Sequence, residues 1–426
     1  MRVVKKVLLW LLLVLVLAAV LAGGTVFVLY RTADAAPARL PAVSFDGTAL
    51  QPVRVQWTAP VLGGLLKKEY AAAGTAADLG VFDSAVLDFT MPDGYSGTMA
   101  VYRQGEAAPV WTSGGSARLV FDRNGAYTLK ASCLLAKDPA APSQGYGSFD
   151  YEARFTLAVD PAVSFSAAKA LQGDVVAVLV TGIMDGSEPT IDAGELSLST
   201  FMDTPGGKVA YIGLAYNREP GDYTVRVQCG ELTVEQTVTV VHRDFPRQDM
   251  TIDGDLADST HNSAAANKEW RDAIWPTYWT AEPVRYWQGR FQWPTASHTL
   301  NTEYGLFRYT NGATTPERHG GIDIDAEEGD AITAPAAGKV VYAGFLQLTG
   351  NTVVLDHGGG LKSYFFHMSA LDCAVGDVLE TGAPVGKVGS TGYSTGPHMH
   401  YEVKIGNQSI DPLQLFNGTS GLYFAE

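Results

Sequence analysis

The chain has 426 residues, 46% of them hydrophobic and 18% charged, which allows two to four domains with a core in each. Acidic side chains outnumber basic ones 45 to 30, for a formal charge of −15; that excludes a nucleic-acid binder built on a basic face and fits a secreted or surface protein. Three cysteines, Cys133, Cys229 and Cys373, cannot all pair internally, and no Cys-x-x-Cys occurs, so neither a disulfide framework nor a cysteine-bound metal is expected.

Residues 1–6 carry Arg2, Lys5 and Lys6, and residues 7–30 contain no charge. At about 1.5 Å per residue that run spans the ~30 Å core of a bilayer. The basic end stays in the cytoplasm, so residues 1–6 read as a cytoplasmic tip, 7–30 as a single-pass transmembrane signal-anchor, and the rest as extracytoplasmic. A signal peptide cleaved near Ala35, after Ala33-Asp34, is the rival, giving a secreted form. The apolar run is longer than the roughly 7–15 residues of a signal peptide's core, which favours the anchor. Residues 31–45, rich in Ala and Pro, read as a linker.

From 46 to 245 short β-rich runs such as Val53–Trp57, Tyr151–Val159, Val175–Val180 and Val234–Val241 are broken by Gly, Pro, Asn and Asp, a pattern of antiparallel sandwiches. Gly125-Ala-Tyr-Thr-Leu-Lys-Ala-Ser-Cys133 matches Gly221-Asp-Tyr-Thr-Val-Arg-Val-Gln-Cys229 at an offset of 96 residues, close to the size of one immunoglobulin-like sandwich. Two tandem immunoglobulin-like modules are therefore expected, 46–160 and 161–245, with the boundary near Asp160-Pro161. Cys133 and Cys229 each fall six residues after the repeated Tyr and should be buried thiols, one per module. The modules read first as spacers. Residues 246–285, polar at first and then carrying Trp270, Trp275 and Trp279 ahead of Trp287, read as a connector that packs aromatics onto a neighbour.

The chemistry concentrates between His319 and His400, where five of the eight histidines lie. In His319-Gly-Gly-Ile-Asp323-Ile-Asp325 the isoleucines alternate with polar residues, which predicts a strand with His319, Asp323 and Asp325 on one face. His398-Met-His400 likewise puts two imidazoles on one side, opposite Met399, Tyr401 and Val403. Three ligands from neighbouring strands with an open fourth position suit a catalytic zinc. On spacing alone Asp325 is as good a ligand as Asp323. No histidine is followed by Glu, so the His-Glu-x-x-His arrangement with a glutamate base is absent. A spare imidazole must take the proton of the activated water.

Here the chain resembles the lysostaphin/LytM-type zinc endopeptidases of bacterial cell walls. The matching pieces are Glu303-Tyr-Gly305, His319-Gly-Gly-Ile-Asp323, Ala334-Pro-Ala-Ala-Gly338, Leu355-Asp-His-Gly358, His367-Met-Ser369, residues 389–402 around His398-Met-His400, and Asp411-Pro412. The resemblance covers residues 286–417, leaving 418–426 as a tail. It implies a compact antiparallel β domain, so that the whole chain is mainly β. It further implies one Zn2+ bound by His319, Asp323 and His400, His398 as the general base, and His367 orienting water or stabilising the oxyanion. Peptidoglycan peptides would be the substrate and the bacterial cell membrane the site of attachment. Phe365 stands where many relatives have Tyr; Tyr304 and Tyr309 are candidates for a transition-state tyrosine. His242, His261 and His298 read as bystanders and His357 as structural. The alternative is a membrane-tethered module that docks or activates another cell-wall or sporulation protein. Relatives of that kind usually lack one or more of the five residues, all present here.

Overall fold

The computed structural model describes residues 2–425; Met1 and Glu426, the ends of the expected tip and tail, lie outside the described residues. The fold is mainly β. Its first element is the helix Arg2–Thr32, whose apolar side chains are exposed along its length. It is the single described helix long and apolar enough to cross a membrane, which makes it a candidate for an anchor or for a signal sequence. Beyond it the described chain forms two compact units. One runs up to Asp160 and takes in residues 184–186; the other comprises 161–183 and everything from Ser187 on.

In the first unit two sheets close on one core. The smaller orders the strands Thr48–Ala49, Ser44–Phe45, Val86–Thr90 and Ala117–Val120; the larger runs Leu66–Ala73, Arg54–Val61, Tyr146–Leu157, Gly125–Leu135, Ser96–Arg103 and Trp111–Ser113, with Ala77–Phe82 also pairing Tyr146–Leu157. Phe149, Tyr151, Ala153, Phe155 and Leu157 alternate inward along one strand, and they meet Phe45, Leu87 and Phe89 from the other sheet. That is the period of two expected of a half-buried strand.

The second unit opens with a comparable pair of sheets, one built on Val175–Thr181 and Gly207–Gly213, the other on Gly221–Cys229 and Leu232–Val241. The sequence repeat is repeated in hydrogen bonding. Tyr127 donates its hydroxyl proton to the Arg123 carbonyl at 2.6 Å, and Tyr223 donates to the Glu219 carbonyl at 2.8 Å, each four residues back. Cys133 and Cys229, one in each module, are buried free thiols, and burial pushes Cys133 up to about 11.

Residues 161–245 share a core with the C-terminal domain. Val175, Ala177, Val209 and Tyr211 fall in one cluster with Trp287, Phe291, Leu361 and Ile405. Arg243 Nη1 donates to Asp411 Oδ2 at 2.8 Å, and Gln414 Nε2 donates to the Gly173 carbonyl at 2.7 Å. A Cβ at Gly213 would press on Ile405 and Ile410. Buried apolar surface and paired polar groups hold this module against the domain it was expected only to space.

The C-terminal domain is carried by an eight-stranded sheet. Its order is Leu300–Thr302, Ile322–Ile324, Met399–Ile405, Leu361–Met368, Gly350–Gly358, Gly338–Leu346 and Val378–Leu379, with Gln408–Ile410 also on Met399–Ile405. Residues 246–285, expected as a connector that packs aromatics onto a neighbour, contain the strand Arg247–Met250 and the helices Gly254–Ser259 and Ala264–Tyr278. Ser263 caps the longer helix by accepting from the Ala266 N–H, and Ile274 and Trp270 pack on Val354, Tyr364 and Phe366 of the sheet. Of the four tryptophans, Trp287 is fully buried with the Arg285 guanidinium 3.7 Å from its ring centre, whereas Trp275 and Trp279 are 49% and 72% exposed. Two of them therefore do not act as the expected anchors.

Candidate metal centre

Asp323 and His400 face each other across adjacent antiparallel strands as direct register partners. His319 reaches them differently from the expected strand. The strand Glu317–Arg318 ends before it and the next begins at Ile322, so His319 stands on a bend between two short strands. Gly320 and Gly321 make the bend possible, because a Cβ on either would strike the Glu402 carboxylate or the Tyr401 carbonyl. Asp325 is corrected too: it is exposed, with Asn301 donating to it at 3.4 Å, and takes no part in the cluster.

His319 Nε2, Asp323 Oδ1 and His400 Nδ1 converge. His319 Nε2 lies 3.0 Å from Asp323 Oδ1 and 3.0 Å from His400 Nδ1, and His400 Nδ1 lies 2.7 Å from Asp323 Oδ1. All three residues are buried. The far side of each of the three groups is tied. His319 Nδ1 donates to the Glu303 carbonyl at 2.9 Å, His400 Nε2 donates to Glu402 Oε1 at 3.3 Å, and Asp323 Oδ2 accepts from Arg308 Nη2 at 3.1 Å. In the neutral rings these outer bonds set the tautomers, leaving lone pairs on His319 Nε2 and His400 Nδ1. Two ring nitrogens and a carboxylate oxygen crowded to this extent cannot all be satisfied by protons. Zinc bonds of about 2.0–2.1 Å place tetrahedral ligand atoms about 3.3 Å apart, so the donor set suits that ion.

Electrostatics agree with a site built for positive charge. Burial disfavours the Asp323 carboxylate, yet the imidazoles of His319 and His400 hold it well below the usual range. Burial likewise works against a charged His400, but hydrogen bonds to Asp323 and Glu402 raise it to about 9. Glu402 is kept ionised against its burial by Lys404, 2.6 Å away, and by His400.

Two further imidazoles border the cluster. His398 Nδ1 donates to the Gly396 carbonyl at 2.8 Å, and His367 Nδ1 donates to the Thr391 carbonyl at 2.8 Å, so both rings keep a lone pair on Nε2. His398 Nε2 stands 3.6 Å from Asp323 Oδ1. The His367 ring centre is 5.1 Å from that of His398 and 5.9 Å from that of His400. Burial lowers His398, and burial with the neighbouring imidazoles drives His367 down to about 3. Both rings are therefore neutral at pH 7. His367 adopts a left-handed φ of 59°, backbone strain of the kind concentrated at working sites.

The cluster opens into a groove of about 230 Å³. Tyr393 to His398 form one side, Asn301, Thr302 and Arg308 another, and Gln248, Met250 and Ile252 a third. The expected tyrosines do not line it. Tyr304 is buried, donating its hydroxyl proton to the Ser409 carbonyl at 2.7 Å and accepting from the Tyr216 N–H at 2.9 Å. Tyr309 lies 4.0 Å beneath the Arg247 guanidinium. Tyr393, which the sequence reading passed over, does line the groove, and His261 stacks on it with ring centres 5.1 Å apart while pairing with Glu317 at 2.8 Å. His261 thus belongs to the rim. His357 is buried between the Ala337 carbonyl and Ser363 Oγ and lowered by burial to about 4; His298 stacks on Trp293, and His242 is exposed beside Asp244. Arg308, Gln248 and the part played by Glu402 were also missed. Only Glu402 carried a readable signal, since it stands two residues beyond His400 on the same strand face.

Residues 317–412 match the model of Peptidase family M23. Over 97 residues, 23% of this chain and 22% of the relative, the sequence is 40% identical to the DD-carboxypeptidase/endopeptidase Mpg of Neisseria meningitidis serogroup B. Over 126 residues, 29% of this chain and 28% of the relative, it is 33% identical to the murein hydrolase activator EnvC of Escherichia coli K12. The catalytic domain of lysostaphin from Staphylococcus simulans, 29% identical, aligns over 28% of this chain and 92% of its own with a TM-score of 0.26. These matches to curated relatives span 22% to 28% of the relatives' own length. Residues 317–412, within the C-terminal domain, are thus a Peptidase family M23 domain.

Proposed function

We propose that this protein is a zinc-dependent endopeptidase acting on the peptide cross-links or stem peptides of bacterial peptidoglycan. The observation that carries the reading is the convergence of His319 Nε2, Asp323 Oδ1 and His400 Nδ1, each with its far side tied, beside two neutral imidazoles whose Nε2 lone pairs remain. Zinc held by His319, Asp323 and His400 would supply a Lewis acid for the scissile carbonyl and bring the pKa of water to about 7. His398 takes the water's proton on Nε2, because its Nδ1 proton is committed to the Gly396 carbonyl, and later delivers it to the leaving amine. His367, with the same tautomer, accepts a hydrogen bond from the water and orients it. Stabilising an oxyanion would require it first to gain a proton, which its pKa of about 3 opposes. The open groove admits an extended peptide. The helix Arg2–Thr32 tethers the enzyme to the cell membrane, and the repeated tyrosine bonds support immunoglobulin-like modules in residues 46–160 and 161–245.

The test is digestion of purified peptidoglycan by the full-length chain, with released peptides identified by mass spectrometry. New amine and carboxyl ends should vanish with chelator, return with zinc, and be missing with His398→Ala. The likeness to a protein named as a murein hydrolase activator favours a second reading, a non-hydrolytic docking module. A folded, zinc-loaded protein that releases nothing yet stimulates a cell-wall hydrolase would establish that reading instead.

A further inference from the structure

Arg308 and Gln248 lie outside the matched residues 317–412 and still reach the metal cluster. Gln248 is the register partner of Arg308 in the parallel pairing of Arg247–Met250 with Phe307–Thr310, so the two side chains share a sheet face. Arg308 Nε donates to Gln248 Oε1 at 3.2 Å, and Nη2 donates to Asp323 Oδ2 at 3.1 Å, with Thr302 Oγ1 3.5 Å from the same nitrogen. The guanidinium fork is planar and rigid; fixing it at Nε also fixes where Nη2 points. Asp323 Oδ1 faces the two ligand imidazoles, and Oδ2 faces Arg308. A carboxylate with both oxygens free can close on a metal with two atoms. One whose second oxygen accepts a guanidinium hydrogen bond remains a single-atom ligand, leaving room for water and substrate.

We propose that Arg308 is a positioning residue that holds Asp323 as a one-oxygen metal ligand, and that Gln248 aims Arg308, so that the segment 248–252 is a working part of the peptidase. This deepens the zinc-peptidase reading above and rests on it. Met250 and Ile252 of the same segment line the groove beside Gln248, as a structural part of the site would.

The experiment measures zinc affinity of the full-length protein by competition with a chromophoric chelator, and the visible spectrum of the cobalt(II)-substituted protein. Arg308→Gln should weaken zinc binding about 10–100-fold, the usual effect of losing an outer-shell partner. It should also weaken the cobalt band as Asp323 closes with both oxygens. Gln248→Ala should act in the same direction by about tenfold or less, and the double variant should be no weaker than Arg308→Gln, because the two act through one bond. Arg247→Ala, on the same strand but paired with Asp249 and stacked on Tyr309, should leave both readouts unchanged. Zinc affinity and cobalt spectrum unaltered in Arg308→Gln and Gln248→Ala, with zinc still lost in His319→Ala, would overturn the proposal alone. A wild-type protein that binds no zinc would overturn the peptidase reading and this proposal with it. Melting curves of the metal-free variants report folding, and if neither Arg308→Gln nor Arg308→Lys folds, Gln248→Ala decides.

Discussion

The five side chains of the cluster sit within a few ångströms of one another yet are anchored by different chemistry. His400 is backed by a carboxylate and Asp323 by a guanidinium. His319, His367 and His398 are backed by backbone carbonyls. A charged partner changes how strongly a ligand binds a cation, whereas a carbonyl sets the tautomer and leaves the ring neutral. Asp323 and His400 are thus set to hold charge, while His367 and His398 stay neutral at pH 7.

Substitutions can break that division. The largest effect is expected from His319→Ala, Asp323→Ala or His400→Ala, which should abolish stoichiometric zinc binding and all hydrolysis, read by metal analysis and peptide release. His398→Ala should leave one zinc per chain while lowering kcat by about 10²–10⁴, the usual worth of a general base. Next comes pH. A His400 raised to about 9 carries a proton in the metal-free cluster at neutral pH, and zinc must displace it. Zinc affinity should therefore rise by about one decade per pH unit from pH 7 to 9 and level off above, because ligands must be deprotonated to bind; a flat profile would mean that His400 is already neutral. Glu402→Gln should weaken zinc about 10–100-fold, measured on protein shown to be folded by circular dichroism. The smallest change should come from Tyr304→Phe, which removes a buried hydroxyl bonded to Ser409 and Tyr216. It should cost about 1–3 kcal/mol in denaturant unfolding and leave zinc affinity unchanged.

Much of the site was legible along the chain because its spacing is short. His319 and Asp323 are four residues apart, and His398 and His400 two, within segments where glycines and alternating apolar residues limit the backbone. The same periodicity misled over Asp325, since it assumed a strand running on from His319 when the strand covers only Ile322–Ile324. The helix Ala264–Tyr278 went unread because its polar composition and internal Pro276 obscure the helical period. Arg308 and Gln248 could not be read at all. Their meaning lies in a parallel register between segments about sixty residues apart, and register is a property of the folded sheet.

What the amino-acid order determined by itself is therefore the local material: an uncharged run of helix-forming residues, β modules with a repeated Gly-x-Tyr start, and an ordered set of histidine and aspartate motifs. Those depend on neighbours a few residues away, where backbone geometry dictates which side chains share a face. Only the tertiary structure decided which side chains converge, that the module of residues 161–245 shares a core with the M23 domain, and that a segment upstream of the matched residues reaches Asp323 through Arg308. Burial, tautomer and hydrogen-bond partner are set by groups distant in sequence, and they exist only once the sheets have packed.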